Sequence, residues 1–96
     1  MIVEAHVPTK SGAKYVQQLC KHWSHKLPVS LEGDTGEVTF ETAVASMVAG
    51  PDSIHVTIQG EDRAALERLT GVVAEHLDRF AFREAPLSFE WNWREG

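Results

Sequence analysis

The hydrophobic period of this chain switches twice from two residues to about 3.6 and back, and that switching constrains its fold more than any other feature. Residues 2–7 alternate, with Val3, Ala5 and Val7 on one side and Ile2, Glu4 and His6 on the other, as in a half-buried strand. Pro8 ends the run. From Ser11 to Lys26 an apolar stripe follows, with Ala13, Val16, Cys20, Trp23 and Leu27 three or four apart and Tyr15 and Leu19 widening it. Pro28 stops this helix.

Residues 29–59 read as an antiparallel meander. A short strand at 29–31 leads into the Gly33-Asp34-Thr35-Gly36 turn and a strand carrying Val38 and Phe40. Another strand covers 44–48, Gly50-Pro51-Asp52-Ser53 turns the chain, and Ile54, Val56 and Ile58 alternate in the next. A second helix stripe runs through Leu66, Leu69, Val73, His76 or Leu77, and Phe80. Glu61 and Asp62 stand where a helix start favours negative charge. After Pro86, the residues Leu87, Phe89, Trp91 and Trp93 alternate as a last strand.

The resulting order, β-α-β-β-β-β-α-β, predicts an α+β two-layer sandwich, a largely antiparallel sheet with both helices packed on one face. The 96 residues are read as a single domain, 1–96. Nine basic against fourteen acidic residues give a net charge of −5, which argues against nucleic-acid and anionic-membrane partners. A lone cysteine excludes an intrachain disulfide and fits a reducing compartment. The N-terminus, MIVEAHVPTK, lacks the basic and apolar regions of a signal peptide, and no apolar run approaches the ~18 residues that span a bilayer. The expected location is the cytoplasm.

The candidate chemistry gathers near the helix ends. His22 and His25 are three apart, so their Cβ atoms lie about 5–6 Å apart, close enough to present two imidazoles to one divalent metal. The alternative is that both are helix-surface cations favoured by the negative C-terminus. Cys20 lies about 200° around the helix from His22 and reads as a small buried hydrophobe. His76 continues an apolar stripe and therefore needs a partner for its ring, either a carbonyl or carboxylate, or a ligand. Arg79 and Arg83, one turn apart, can bind an anion or pair with Glu75, Asp78 or Glu84. If the strands before the two helices run alike, these groups meet at one edge, with Tyr15 or Trp23 walling a cleft. Trp91 and Trp93 read as sheet core, or as a dimer interface if their side is uncovered.

The segments Tyr15-x3-Leu19-Cys20-Lys21-His22-x2-His25-Lys26 and His76-Leu77-x-Arg79-Phe80-Ala81-Phe82-Arg83-Glu84, with the closing Trp91, resemble a bacterial family catalogued as domain of unknown function 2218. The resemblance implies a small cytoplasmic bacterial protein whose relatives occur beside, or joined to, siderophore-interacting flavin reductases. It assigns no catalytic residue.

Three readings follow. The first is a ligand- or metal-binding accessory module, linked through the resemblance to iron or siderophore metabolism. It takes His22, His25 and His76 as metal ligands and Tyr15, Arg79 and Arg83 as ligand-binding residues. The second is a small enzyme with His76 or His22 as general base and an arginine stabilising the developing anion. The third is a homodimeric interaction protein.

Overall fold

The computed structural model describes residues 1–94. The first strand, β1 (Ile2–Pro8), lies inside the sheet, between the two strands that flank the second helix in the chain. The elements that follow are α1 (Gly12–Trp23), β2 (Val29–Glu32), β3 (Thr35–Thr39), β4 (Ala43–Ala49), β5 (Ser53–Gly60), α2 (Arg63–Phe80) and β6 (Asn92–Arg94). They form one sheet in the order β2-β3-β4-β5-β1-β6, and every neighbouring pair is antiparallel. This is the expected α+β architecture with the expected element order.

Register explains the core. Val3 pairs with Ile58, Ile58 with Ala45, and Ala45 with Val38, so four neighbouring strands turn one apolar row toward the helices. All four side chains are fully buried. Val16, Leu19, Cys20 and Trp23 of α1 and Leu66, Val73 and Leu77 of α2 pack onto this layer. Burying one such leucine contributes about 1.5–3 kcal/mol. α1 lies over β2–β4, and α2 lies against β5.

The two helices run in opposite directions. Each follows a strand of the β1–β5 pair, which is antiparallel, so the premise that both helices share a direction is corrected. Contacts agree: Tyr15, early in α1, meets Glu84 beyond the end of α2, whereas His22 and Trp23 at the end of α1 meet His76.

Local chemistry sets the element ends. Asp62 caps α2 by accepting from the Ala64 and Ala65 amides at 3.0 and 3.4 Å, which meets two otherwise unpaired donors. The regular part of α1 stops at Trp23, short of Lys26. There the Lys26 and Leu27 amides both turn back to the Trp23 carbonyl, and Pro28 follows. The last strand is also shorter than the alternation suggested, because only 92–94 pair with β1. Upstream, the Leu87 amide donates to Asp78 Oδ1 at 2.8 Å instead of joining a ladder. Trp93 points to the helix-bearing face with Arg63 stacked 4.1 Å above it, so it does not belong to the uncovered face. Among the described residues no helix is long and apolar enough to cross a membrane.

Candidate functional site

The seam between α1 and α2 brings together residues from both segments that stood out in the sequence. His22 and Trp23 close α1, and His76 sits one turn before the end of α2. The rings of His22 and His76 are 5.5 Å apart, Trp23 and His76 5.0 Å, and His22 and Phe80 5.9 Å. Phe40 from the β3–β4 turn packs edge-on against Trp23 at 5.2 Å. His76 is half-buried and His22 exposed. Leu77, not His76, fills the fully buried stripe position.

His76 Nδ1 lies 2.7 Å from the Val72 carbonyl, one turn back. A carbonyl can only accept, so Nδ1 carries a proton, and in the neutral ring the lone pair then lies at Nε2. Metal-bound histidines donate their other ring N–H to a carboxylate, a backbone carbonyl or water, and the Val72 carbonyl is such a partner. The arrangement also meets the simplest structural need of a histidine on an apolar flank, a partner for its N–H.

The other sequence candidates face solvent or have partners of their own. His25 is exposed in the turn after α1. The Tyr15 hydroxyl donates to Glu84, so it serves the packing of the segment after α2. Arg79 and Glu75 form an exposed pair at 3.8 Å, and Arg83 lies 5.7 Å from the Phe82 ring. Cys20 is buried against β3, and burial pushes its thiol pKa up, which disfavours the nucleophilic thiolate. Among the described residues no three His, Cys, Asp or Glu side chains converge on a metal position.

Two concavities lie elsewhere. One of about 540 Å³ is bounded by Lys10, Lys14, Asp34 and Pro51 at the start of α1, and one of about 560 Å³ by Phe40, Glu41, Gln59 and Glu61. At the seam itself His22 is exposed, so its ring is open to water, which weighs against a general base there.

Sequence reasoning passed over a second polar cluster, on the uncovered face of the sheet. His6 and His55 face each other across β1 and β5, with rings stacked 4.2 Å apart and only 4° between planes. His55 Nε2 is 2.8 Å from Glu4 Oε1, and Arg94 Nε donates to Glu4 Oε2. One carboxylate thus ties β5, β1 and β6 together. The available signal was the outward position of both histidines in alternating strands, but their meeting depends on which strands pair.

The hydrogen bond from His55, then the charge of Arg94, hold the Glu4 carboxyl below its usual value near 4.5. A lowered folded-state pKa contributes stability that is fully present above the ordinary value and is lost as pH falls through the folded one. The stability difference between wild type and Glu4→Gln is therefore expected to be steady near pH 7 and to shrink below about pH 4.5. Urea unfolding across that range checks this, and a difference independent of pH would contradict it.

Comparisons with known proteins follow the same outline. A family model described as an uncharacterized protein conserved in bacteria (DUF2218) matches residues 4–92. The NMR structure of PA4090 from Pseudomonas aeruginosa is similar at a TM-score of 0.82 and 35% identity, covering 95% of this chain and 94% of that one. No curated protein matches.

Proposed function

Because this chain belongs to DUF2218, a family of uncharacterised bacterial proteins, its chemistry has to come from its own side chains, and we propose that it is a binding module whose helix seam takes a divalent transition-metal ion. The observation that carries this reading is the His76 ring, fixed by Val72 with Nε2 free and His22 5.5 Å away. Two imidazoles without a carboxylate suit Zn²⁺, Cu²⁺, Ni²⁺ or ferrous ion, with water completing the shell. The resemblance also implies a link to iron and siderophores, and titration with ferric chelates tests it separately.

Titration calorimetry with Zn²⁺, Ni²⁺ and Cu²⁺ is the direct test. Wild type is expected to bind one ion, with His22→Ala and His76→Ala each at least roughly tenfold weaker, at the lower end of the losses seen when metal sites are altered. His25→Ala decides whether the third histidine contributes. No heat from wild type, or unchanged binding in both seam variants, would overturn the reading.

A further inference from the structure

The concavity of about 560 Å³ beside the ends of β3 and β5 does not stand alone. It shares Phe40, Glu41 and Thr42 with another of about 300 Å³ between that turn and α2, so the two adjoin as one groove. Its size is that of small-molecule pockets, roughly 300–1,000 Å³. The fold opens it because α1 lies over β2–β4 and α2 against β5, which leaves Glu41 and Thr42 exposed in the β3–β4 turn.

The groove has an apolar wall and an acidic rim. Ala65, Leu69 and Val72 are four and three residues apart, so they share one face of α2, and they line the smaller concavity together with Phe40. Phe40, Leu69 and Val72 are only half-buried. The larger concavity is bordered by Glu41, Glu61 and Asp62 and by no basic residue. Asp62 is engaged in capping α2. Glu41 and Glu61 are exposed, and among the described residues neither has an ion-pair partner. Arg68, the basic residue of the groove, lines only the smaller concavity.

These walls complement a cation attached to an apolar body. The two carboxylates attract an ammonium group, and the Phe40 ring offers it a π face. The body would cover Leu69 and Val72 and release water from them. An inorganic cation gains nothing from that wall, and an anion is repelled by the rim. We infer that this groove binds a small organic amine, its ammonium end at Glu41 and Glu61 and its apolar body against Phe40, Leu69 and Val72.

The groove adjoins the seam through Phe40, which packs on Trp23, but it uses none of the seam histidines, so either claim can fail alone. The test follows backbone amide resonances by NMR at pH 7, without metal, during titration with 2-phenylethylammonium. Saturable shifts are expected in 39–44, 59–62 and 65–72. The uncharged 2-phenylethanol and the bodiless methylammonium should each bind at least about fivefold more weakly, the first for want of the charge and the second for want of the wall. A Glu41→Gln/Glu61→Gln double variant, altered only at exposed positions, should lose about fivefold, the upper range for exposed charges. Arg68→Gln should not weaken binding, because Arg68 repels the ammonium. Absent shifts, equal binding of the alcohol or of methylammonium, unchanged affinity in the double variant, or weaker binding in Arg68→Gln would overturn the inference. So would tighter binding of a lysine tripeptide at the same residues, which would make the groove a peptide surface.

Discussion

Replacing Gly36 with alanine is expected to destabilise the domain by about 1–3 kcal/mol, the range for forcing extra volume into a filled core. Gly36 is buried on β3 directly beneath α1, and an added Cβ would lie 2.5 Å from Cys20 Sγ and 3.0 Å from Val16 Cγ1. Neither neighbour has a long flexible end that can swing aside, so helix and strand must separate slightly. In a domain of this size, each kcal/mol lowers Tm by roughly 4–8 °C. The decisive experiment is a double-mutant cycle with Cys20→Ala, which deletes the sulfur that the new methyl meets. Relief should appear as a coupling energy of about 1 kcal/mol or more. Strictly additive losses would show that the strain lies in the backbone and not in this contact. The cycle also tests the structural role of Cys20 directly, since the thiol fills the space that glycine leaves.

The second large effect centres on Glu84. Its carboxylate accepts from the Thr9 hydroxyl, with 3.0 Å to each oxygen, and from the Tyr15 hydroxyl. Thr9 and Tyr15 are only 5% and 6% exposed. Glu84→Ala strands two buried hydroxyls at once, and each unsatisfied group costs about 1–3 kcal/mol. A total loss of about 2–4 kcal/mol is expected, with Glu84→Gln milder because the amide oxygen still accepts. Tyr15, the chain's one tyrosine, provides a spectroscopic reading of the same contact. The hydrogen bond to Glu84, followed by burial, pushes its pKa above the usual value near 10. A raised phenol pKa contributes stability that is present below the ordinary value and lost as pH rises through the folded one. Tyrosinate absorbance should therefore appear at lower pH in Glu84→Gln than in wild type. Coincident titrations would show that Glu84 does not control the hydroxyl.

Glu84 also shows how far the sequence could be read. Tyr15 and Glu84 both stand in the conspicuous segments, but local spacing offers the tyrosine only a ligand and makes the glutamate one of three possible partners for the arginines. Their pairing spans 69 residues and follows from the helices running in opposite directions. His76 was legible as a histidine on an apolar stripe in need of a partner. The choice between His76 and Leu77 for the core position was not legible, since the two differ by one step around the helix. The Glu4–His55 contact, 51 residues apart, was hidden for the same reason as Tyr15–Glu84.

The two switches of hydrophobic period determined the element order, the apolar face of each element and the two-layer class. Periodicity is written in neighbours three or four residues apart on a helix and two apart on a strand, so it survives without knowledge of the rest of the chain. The tertiary structure alone decided that β1 inserts between β5 and β6. From that single placement follow the opposed helices, the His22–His76 seam, the Tyr15–Glu84 bond and the Glu4 strut. Strand order depends on which apolar faces can be covered together, a property of the assembled layers that no local pattern carries.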